Sequence, residues 1–407
     1  MSHRESFLAG LVSFYLGRLC VILAAALTVA AVLAPAAAFA QVRPVENRNA
    51  LPLTKFYDTP RPLPGGKPGE LIRSQSFEEY ELPISVSAIR ILYHSRSAVG
   101  EDVAASGVVL FPYGKKPPAG GWPVIVWAHG TTGVARRCAP SLTRNIGHGP
   151  FLSMYVNLGY AVVAPDYTGL GTDFRNAFLD SPSNAADLIA AVPAARAAEP
   201  SLGGRWIAIG EAEGSLAAVA VAEKQHETRD PGYLGSIAIS GLADPQEIYQ
   251  PGGAGSSSLK LATLAYGIKT VYPEFQIADM LTEKGLGVYH RIEQTCSNAG
   301  AAPDFSPSET LKPGWEGNPF VRRYFLRSHL AETPASRPIL VITSDADSAI
   351  PGATTAQAIA RMCKQGDQIQ SQLYPADAGS LIGDSVRDQI AWIEARFSGR
   401  PSTTTCP

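Results

Sequence analysis

The segment Gly210-Glu211-Ala212-Glu213-Gly214 joins an apolar run to an alanine-rich helical pattern, and its glycines stand four residues apart. This spacing allows a sharp strand-to-helix turn, the elbow that carries a nucleophilic serine at its tip in G-x-S-x-G hydrolases. The tip residue here is Ala212, which has a methyl group where acyl transfer needs a hydroxyl. The sequence therefore predicts a nucleophile elbow without its nucleophile.

The segments on either side of the elbow predict an α/β fold. Helical patterns cover 185–198, 215–224, 353–364 and 386–397. Strands are predicted at 86–93, which alternates, and at 106–111, which is β-branched and aromatic. Short apolar runs lie at 122–127, 160–164, 205–209, 234–239 and 338–343. Apolar runs of this kind are typical of strands buried on both faces of a sheet. Their alternation with helices predicts a mostly parallel sheet covered by helices on both faces.

The alternation of strands and helices is interrupted at 243–315, which has helical patches and a Gly/Ser-rich segment but no clear strand. We expect a helical cap inserted between two parts of the core, 86–242 and 316–407. Such a cap could cover a site and exclude water from it, and a surface decoration is the alternative. Residues 41–85 are rich in Pro, Gly and charge without periodicity, which predicts an irregular N-terminal arm.

The first forty residues have the pattern of a secretory signal peptide. Arg4 and Arg18 precede an apolar run at 21–33, and Ala38-Phe39-Ala40 is a small-x-small cleavage site. A retained membrane anchor is the alternative, but the run is short for a span of ~20 residues. We therefore expect a secreted or periplasmic protein that begins at Gln41 and has no stable membrane span after cleavage.

Charge and cysteine content narrow the possible partners. The formal net charge is −2 with both signs interspersed, so the basic surface that nucleic acid requires is not expected. The four cysteines left after cleavage are an even number in an oxidising compartment, which predicts two disulfides, with four buried thiols as the alternative. No two of them are close enough in sequence for a metal-binding pair, so we expect neither a metal site nor a cofactor. These cysteines are Cys138, Cys296, Cys363 and Cys406.

Three further segments, together with the elbow, resemble the secretory lipases, bacterial and fungal esterases and lipases with an α/β-hydrolase core and a helical lid. The segments are 127–133 (WAHGTTG), 138–141 (CAPS) and 164–172 (APDYTGLGT). The resemblance covers most of the chain from about residue 110. It implies the α/β-hydrolase fold, activity on carboxylic esters or lipids, and disulfides that pair Cys138 with Cys296 and Cys363 with Cys406.

The same resemblance identifies the positions of the catalytic acid and base. Asp347, in the segment 344–351 after a predicted strand, matches the acid that orients the histidine of a Ser-His-Asp triad. Without the resemblance, an aspartate in such a loop reads as a turn residue. The histidine position, which follows Tyr374 and Pro375, is Gly379, and no histidine occurs after His329. Two of the three triad members are therefore replaced.

The oxyanion hole is also implied by the resemblance. Asp166 matches an aspartate that helps to form it, and a strand-end residue that caps a turn is the alternative role. The backbone N–H of Glu213, directly after the tip, would be the second donor. Thr131 lies in the segment that would border the site.

Other polar residues near the predicted site do not replace the missing groups. Ser215 lies one helical turn beyond the tip, Ser380 cannot act as a base near neutral pH, and His129 is better explained as a strand-end residue that orients the oxyanion loop. Glu211 and Glu213 flank the tip, but an acidic nucleophile would have to occupy the tip itself and would still need a histidine to activate water.

These observations favour a pseudo-lipase, whose lidded apolar pocket binds a small ester or lipid-like ligand, or a partner protein, without hydrolysis. Loss of nucleophile and base leaves only about 10³- to 10⁴-fold acceleration over water. Glu211 and Glu213 would add a preference for a cationic group. One alternative is a residually or unconventionally active esterase that acts on triacylglycerol or short-chain esters. Another, a lipase with an engineered Ser-to-Ala change, explains Ala212 but not Gly379.

Overall fold

The computed structural model describes residues 48–249, 257–296, 305–346, 350, 352–377 and 379–407. The predicted signal peptide, the matched acid Asp347 and most of the Gly/Ser-rich segment of the predicted cap lie outside the described residues. Residues 49–407 form one compact unit.

Nine strands of the described residues form one mostly parallel sheet, as predicted. The pairings that link β1, β2, β3 and β5 are antiparallel, and those among β5, β4, β6, β7, β8 and β9 are parallel. In sheet order the strands are β1 (Leu71–Ser76), β2 (Val86–Arg96), β3 (Asp102–Pro112), β5 (Ala161–Pro165), β4 (Trp122–Ala128), β6 (Leu202–Glu211), β7 (Tyr233–Ile239), β8 (Ile339–Ser344) and β9 (Ile369–Tyr374).

Helices cover both faces of this sheet, because the central strands bury apolar side chains on each face. The α-helices in the described ranges are α1 (Gly149–Asn157), α2 (Ser181–Ala198), α3 (Glu213–Thr228), α4 (Pro245–Tyr249), α5 (Ser258–Val271), α6 (Glu283–Ile292), α7 (Pro307–Thr310), α8 (Pro319–Arg327), α9 (Gly352–Lys364), α10 (Leu381–Asp384) and α11 (Val386–Phe397). Trp206 and Ala208 of β6 pack with α2 and α3, whereas Ile207 and Ile209 pack with α1 and α11.

The chain between β7 and β8 contributes helices and no sheet strand in its described parts, which we call the helical insertion (240–338). Its α-helices are α4 to α8. Helix α8 lies entirely after residue 315, the predicted end of the cap. The two ends of the insertion meet at Asp244, whose carboxylate accepts hydrogen bonds from the Leu330 amide at 2.9 Å and from Arg361 at 2.6 Å. His329 Nε2 lies 3.2 Å from the same carboxylate.

Several elements were not predicted from the sequence. The arm at 41–85 is not wholly irregular, because Leu71–Ser76 forms β1, which pairs with β2. Strand β9 and helices α1, α8 and α10 were also missed. Both strands are sheet edges whose side chains are mostly half-exposed or exposed, so neither sequence has the continuous apolar run of a central strand.

Both disulfide pairings implied by the resemblance are confirmed. Cys138 is bonded to Cys296 and Cys363 to Cys406, each pair with its Cα atoms 5.4 Å apart. The first joins the segment after β4 to the helical insertion, and the second joins α9 to the C-terminal tail. No helix in the described part of the chain is both long and apolar enough to span a bilayer.

Candidate functional site

The elbow residue Ala212 lies between β6 and α3 in a strained backbone conformation. Its φ is 53° and its ψ is −116°, in a region that L-residues with a side chain rarely adopt. Such a conformation costs about 1 to 3 kcal/mol and persists only where neighbouring contacts impose it. The Ala212 amide donates to the Ile239 carbonyl of β7 at 3.0 Å, and the Ser215 amide donates to the Ala212 carbonyl at 2.9 Å. These two bonds hold the elbow at both peptide groups of Ala212.

The glycines on either side of the tip are required by the close approach of strand and helix. A Cβ on Gly210 would lie 1.8 Å from the carbonyl oxygen of Gly214, and a Cβ on Gly214 would lie 2.0 Å from that of Ala128. Both distances are well below contact between non-bonded atoms. The backbone therefore has the geometry that the glycine spacing predicted.

The loop after β4 passes beside the tip. A Cβ on Gly130 would lie 3.4 Å from the Ala212 Cβ and 3.1 Å from Glu211 Oε2. Glu213 is the first residue of α3, so its amide is one of the helix N-terminal N–H groups that have no acceptor within the helix. The proposed donor at Glu213 and the loop that contains Thr131 are thus both brought next to the tip.

The Glu213 carboxylate is buried and accepts three hydrogen bonds. They come from Thr131 Oγ1 at 2.8 Å, the Leu179 amide at 3.1 Å and Asn184 Nδ2 at 3.3 Å. Burial raises the pKa of Glu213, and these donors lower it in part. The side chain connects α3 to the loop after β4 and to α2, which makes it a structural support of the elbow.

The Glu211 side chain points to the face of the sheet that α1 covers. Side chains along β6 alternate between the two faces, so Glu211 lies on the same face as Ile207 and Ile209. Its Oε2 lies 3.6 Å from Nε2 of His148, which precedes α1 and packs edge-on against Trp127 with ring centroids 5.5 Å apart. Burial raises the pKa of Glu211, and His148 opposes that shift. The contact with His148 could not be predicted from the sequence, because His148 belongs to no motif. The one available signal was the two-residue alternation of side chains along β6, which places the side chain of residue 211 on the face toward α1.

Asp166, which directly follows β5, takes part in a buried hydrogen-bond network. Its carboxylate accepts from Ser106 Oγ at 2.7 Å and from the Ser141 amide and hydroxyl at 2.8 and 2.5 Å. Burial raises the pKa of Asp166, and these serine hydrogen bonds oppose the rise. The contacts hold the 138–141 segment, in agreement with the turn-capping alternative. A contribution of Asp166 to an oxyanion hole stays a prediction.

His129 links the Asp166 segment to the loop after β4. Its Nε2 lies 3.1 Å from the Asp166 carbonyl oxygen, its Nδ1 lies 2.7 Å from that of Gly130, and its ring stacks on Tyr167 with centroids 4.2 Å apart. Burial lowers the pKa of His129. The ring thus lies between two backbone carbonyl groups, and a role of His129 in orienting an oxyanion loop stays a prediction.

The hydroxyl of Ser215 serves the backbone of the elbow. Ser215 is fully buried, and its Oγ lies 2.7 Å from the Ala212 carbonyl oxygen and 2.8 Å from that of Gly241. Both are hydrogen-bond distances, so the hydroxyl is directed at carbonyl groups. It therefore does not replace the missing nucleophile.

The predicted histidine position, Gly379, is exposed and lies in the turn before α10. The amide of Ser380 donates to Asp377 Oδ1 at 2.9 Å, and its hydroxyl donates to Asp384 Oδ2 at 2.8 Å, so this serine stabilises the turn. A Cβ on Gly379 would have Asp377 Oδ1 at 3.2 Å as its closest neighbour. A side chain at residue 379 therefore needs only a small shift of one flexible carboxylate.

A cavity of about 270 Å³ opens next to the loop after β4. It is bounded by that loop, by the chain before α2 and by the helical insertion, and exposed Lys260 lies among its lining residues. Its other walls are mainly apolar and include Thr131, Val134, Phe178, Tyr249, Leu259 and Ile292. Thr131 belongs to both places, because it lines the cavity and donates to Glu213 at the elbow.

The mostly parallel sheet, the elbow after β6 and the helical insertion together form the α/β-hydrolase fold. Among solved structures, the chain is similar to the rice cell wall degrading esterase LipA from Xanthomonas oryzae, with 19% identity, a TM-score of 0.68, and coverage of 83% of this chain and 100% of that one. It is also similar to Candida antarctica lipase A in its closed state, with 17% identity, a TM-score of 0.73, and coverage of 88% and 89%. No family model and no curated protein matches the sequence.

Proposed function

We propose that this protein is an exported pseudo-lipase, which binds a small apolar ester or lipid-like ligand and does not hydrolyse it. The observation that carries the proposal is the methyl group of Ala212 at the tip of an elbow whose strained backbone persists. The elbow geometry serves to present a nucleophile next to oxyanion donors. In this chain the backbone conformation of the elbow is retained, but its tip residue has no hydroxyl.

The second replacement makes the loss of chemistry complete. With glycine at residue 379, the site has no base at the matched position, and the nearby hydroxyl of Ser215 is directed at backbone carbonyls. An aspartate at residue 347 cannot act alone, because the triad acid works only by orienting and stabilising a histidine.

The ligand class follows from the cavity beside Thr131. Its walls are mainly apolar. Its volume of about 270 Å³ is close to the smallest volumes of small-molecule pockets, which are ~300 Å³. A short or medium acyl chain, or one aromatic ring, fits such a space. The likeness to an esterase and to a lipase supports an ester-like ligand. In this proposal the helical insertion is the lid.

Export is part of the proposal. Two disulfides are typical of proteins that fold in an oxidising compartment, and the first forty residues have the composition of a signal peptide. The protein would act in the periplasm or outside the cell.

The test offers p-nitrophenyl butyrate, octanoate and laurate to the mature protein and records nitrophenolate release and the thermal midpoint together. We expect release at the rate of buffer and a raised midpoint for at least one ester, because a ligand at 100 times its Kd stabilises by ~2.7 kcal/mol. Leu259→Trp, which fills the cavity, should remove the midpoint shift. Nitrophenolate release well above buffer, unaffected by Ser380→Ala but abolished by Asp347→Asn, would overturn the proposal.

A weak esterase is the second candidate, and the position of His148 favours it. A histidine 3.6 Å from a carboxylate beside the tip could accept a proton from water. That candidate predicts slow turnover that His148→Ala abolishes, whereas the pseudo-lipase predicts no turnover for this variant to change.

A further inference from the structure

The cavity beside Thr131 contains a buried hydroxyl that has no protein partner. Tyr249 lines the cavity and is 4% exposed, and its hydroxyl forms no hydrogen bond within the part of the chain that the structure describes. The three threonine hydroxyls of the lining donate to protein oxygens: Thr131 to Glu213 at 2.8 Å, Thr263 to Leu259 at 2.7 Å and Thr295 to Arg291 at 2.9 Å. A buried donor without an acceptor is unfavourable, so the Tyr249 hydroxyl gains from an oxygen atom of a ligand.

The charged side chain at this cavity is a cation. Lys260 is exposed and lines the cavity, and it forms no salt bridge with any residue in the described ranges. No aspartate or glutamate is among the described lining residues, so Glu211 and Glu213, which flank the elbow tip, are not part of the cavity wall. A cation without a partner at the entrance of an apolar space favours a ligand whose head is an anion with acceptor oxygens.

The two polar groups differ in depth, because the Tyr249 side chain is buried and Lys260 is exposed. Burial raises the pKa of the Tyr249 hydroxyl, and the negative charge of the Glu213 carboxylate adds to the rise. The same negative charge would repel an anion beside Tyr249. An anionic head is therefore favoured at Lys260, and the ligand atom that suits Tyr249 is a neutral oxygen.

We propose that the cavity binds a carboxylic acid whose carboxylate contacts Lys260 and whose far end carries a neutral oxygen that accepts a hydrogen bond from Tyr249. The apolar body of the ligand would lie between these two groups, against the aliphatic and aromatic walls. This inference rests on the proposed function, because it requires that the cavity bind an apolar ligand. It assigns the cavity to acids with a second oxygen, such as hydroxy acids, in preference to neutral esters.

The test compares octanol, octanoate and 8-hydroxyoctanoate by calorimetry on the mature protein. The first two differ in the head, and the last two differ at the far end. We expect octanoate to bind about three- to fivefold more tightly than octanol, with a smaller ratio in high salt, because an ion pair at an exposed lysine is weak and screened. We expect 8-hydroxyoctanoate to bind about fivefold more tightly than octanoate, because its hydroxyl gives Tyr249 an acceptor.

Two variants test the two contacts separately. Lys260→Met should bring octanoate to the affinity of octanol and leave octanol unchanged. Tyr249→Phe should remove the advantage of 8-hydroxyoctanoate over octanoate and leave octanoate unchanged. Lys116→Met and Tyr113→Phe, which alter exposed residues elsewhere, are the matched controls and should change neither ratio.

Each other outcome has a distinct meaning. If the three ligands bind equally, or octanol binds most tightly, the acid site is wrong and the pseudo-lipase proposal stands. A preference for octanoate over octanol that persists in Lys260→Met would overturn the position of the head. A preference for 8-hydroxyoctanoate that persists in Tyr249→Phe would overturn the role of Tyr249. If none of the three binds, both the acid site and the pseudo-lipase proposal fail.

Discussion

The hydroxyl of Ser215 lies 2.7 Å from the carbonyl oxygen of Ala212, so a hydroxyl near the elbow tip supports the backbone of the residue that lacks one. This contact and the hydrogen bond from the Ala212 amide to the Ile239 carbonyl keep residue 212 in a backbone conformation that alanine disfavours. The elbow is therefore held by its surroundings and does not depend on the identity of its tip residue.

Replacing Ala212 with glycine should stabilise the protein. Glycine relieves backbone strain of about 1 to 3 kcal/mol and gives back about 0.4 to 1 kcal/mol as unfolded-state entropy, so we expect a net gain of ~1 kcal/mol in the free energy of unfolding. Urea unfolding measures it. The control Ala356→Gly, at an exposed position of α9, should instead lose ~1 kcal/mol. Destabilisation by Ala212→Gly would show that the elbow is not strained.

Glu223 should make the protein less stable at alkaline pH. Burial raises the pKa of this carboxyl from 4.5 to about 7, while its Oε1 accepts from the Ala331 amide at 2.8 Å. The folded state therefore binds an extra proton between these values, so the stabilisation is fully present below about pH 4.5 and is lost as pH rises through about 7.

Glu223→Gln keeps the acceptor for Ala331 and removes the titration. We expect it to raise the free energy of unfolding at pH 8 by about 1 to 3 kcal/mol relative to the parent, and to flatten the change between pH 5 and pH 8. Urea unfolding at the two pH values measures both, with Glu79→Gln as the exposed control. An unchanged pH profile would contradict the raised pKa of Glu223.

The two disulfides should differ in their effect on ligand binding. Loss of either one, as Cys138→Ser with Cys296→Ser or as Cys363→Ser with Cys406→Ser, should lower the free energy of unfolding by about 2 to 4 kcal/mol. The first pair should also weaken ligand affinity, because Cys296 lines the cavity and is joined to the helical insertion. Calorimetric titration of both variants below their unfolding temperatures separates the two effects. Equal affinity in both would mean that Cys138 and Cys296 do not shape the cavity.

The elbow and the central strands could be predicted because both leave a direct pattern in the sequence. The spacing of Gly210 and Gly214 reflects two close backbone approaches, of residue 210 to the Gly214 carbonyl and of residue 214 to the Ala128 carbonyl of β4. Continuous apolar runs reflect burial on both faces of the sheet. The edge strands β1 and β9 could not be predicted in this way, because an edge strand tolerates polar side chains on both faces.

The polar contacts of the site depend on tertiary packing that periodicity does not encode. His148 meets Glu211 because α1 packs on the face of β6 toward which residue 211 points. Asp166 meets Ser106 of the neighbouring strand β3 and Ser141 of the segment after β4. Without alignment or structure, each of these residues reads as an ordinary polar position in a loop or strand.

The most direct test of the central claim is hydrolysis of p-nitrophenyl butyrate by the protein and by the double variant Ala212→Ser with Gly379→His. The account predicts turnover at the level of buffer for the parent. It predicts at least ~10²-fold more for the double variant, whose added serine a fluorophosphonate probe should label and whose activity Asp347→Asn should reduce. Hydrolysis by the parent at a rate comparable to that of the double variant would contradict a disarmed site.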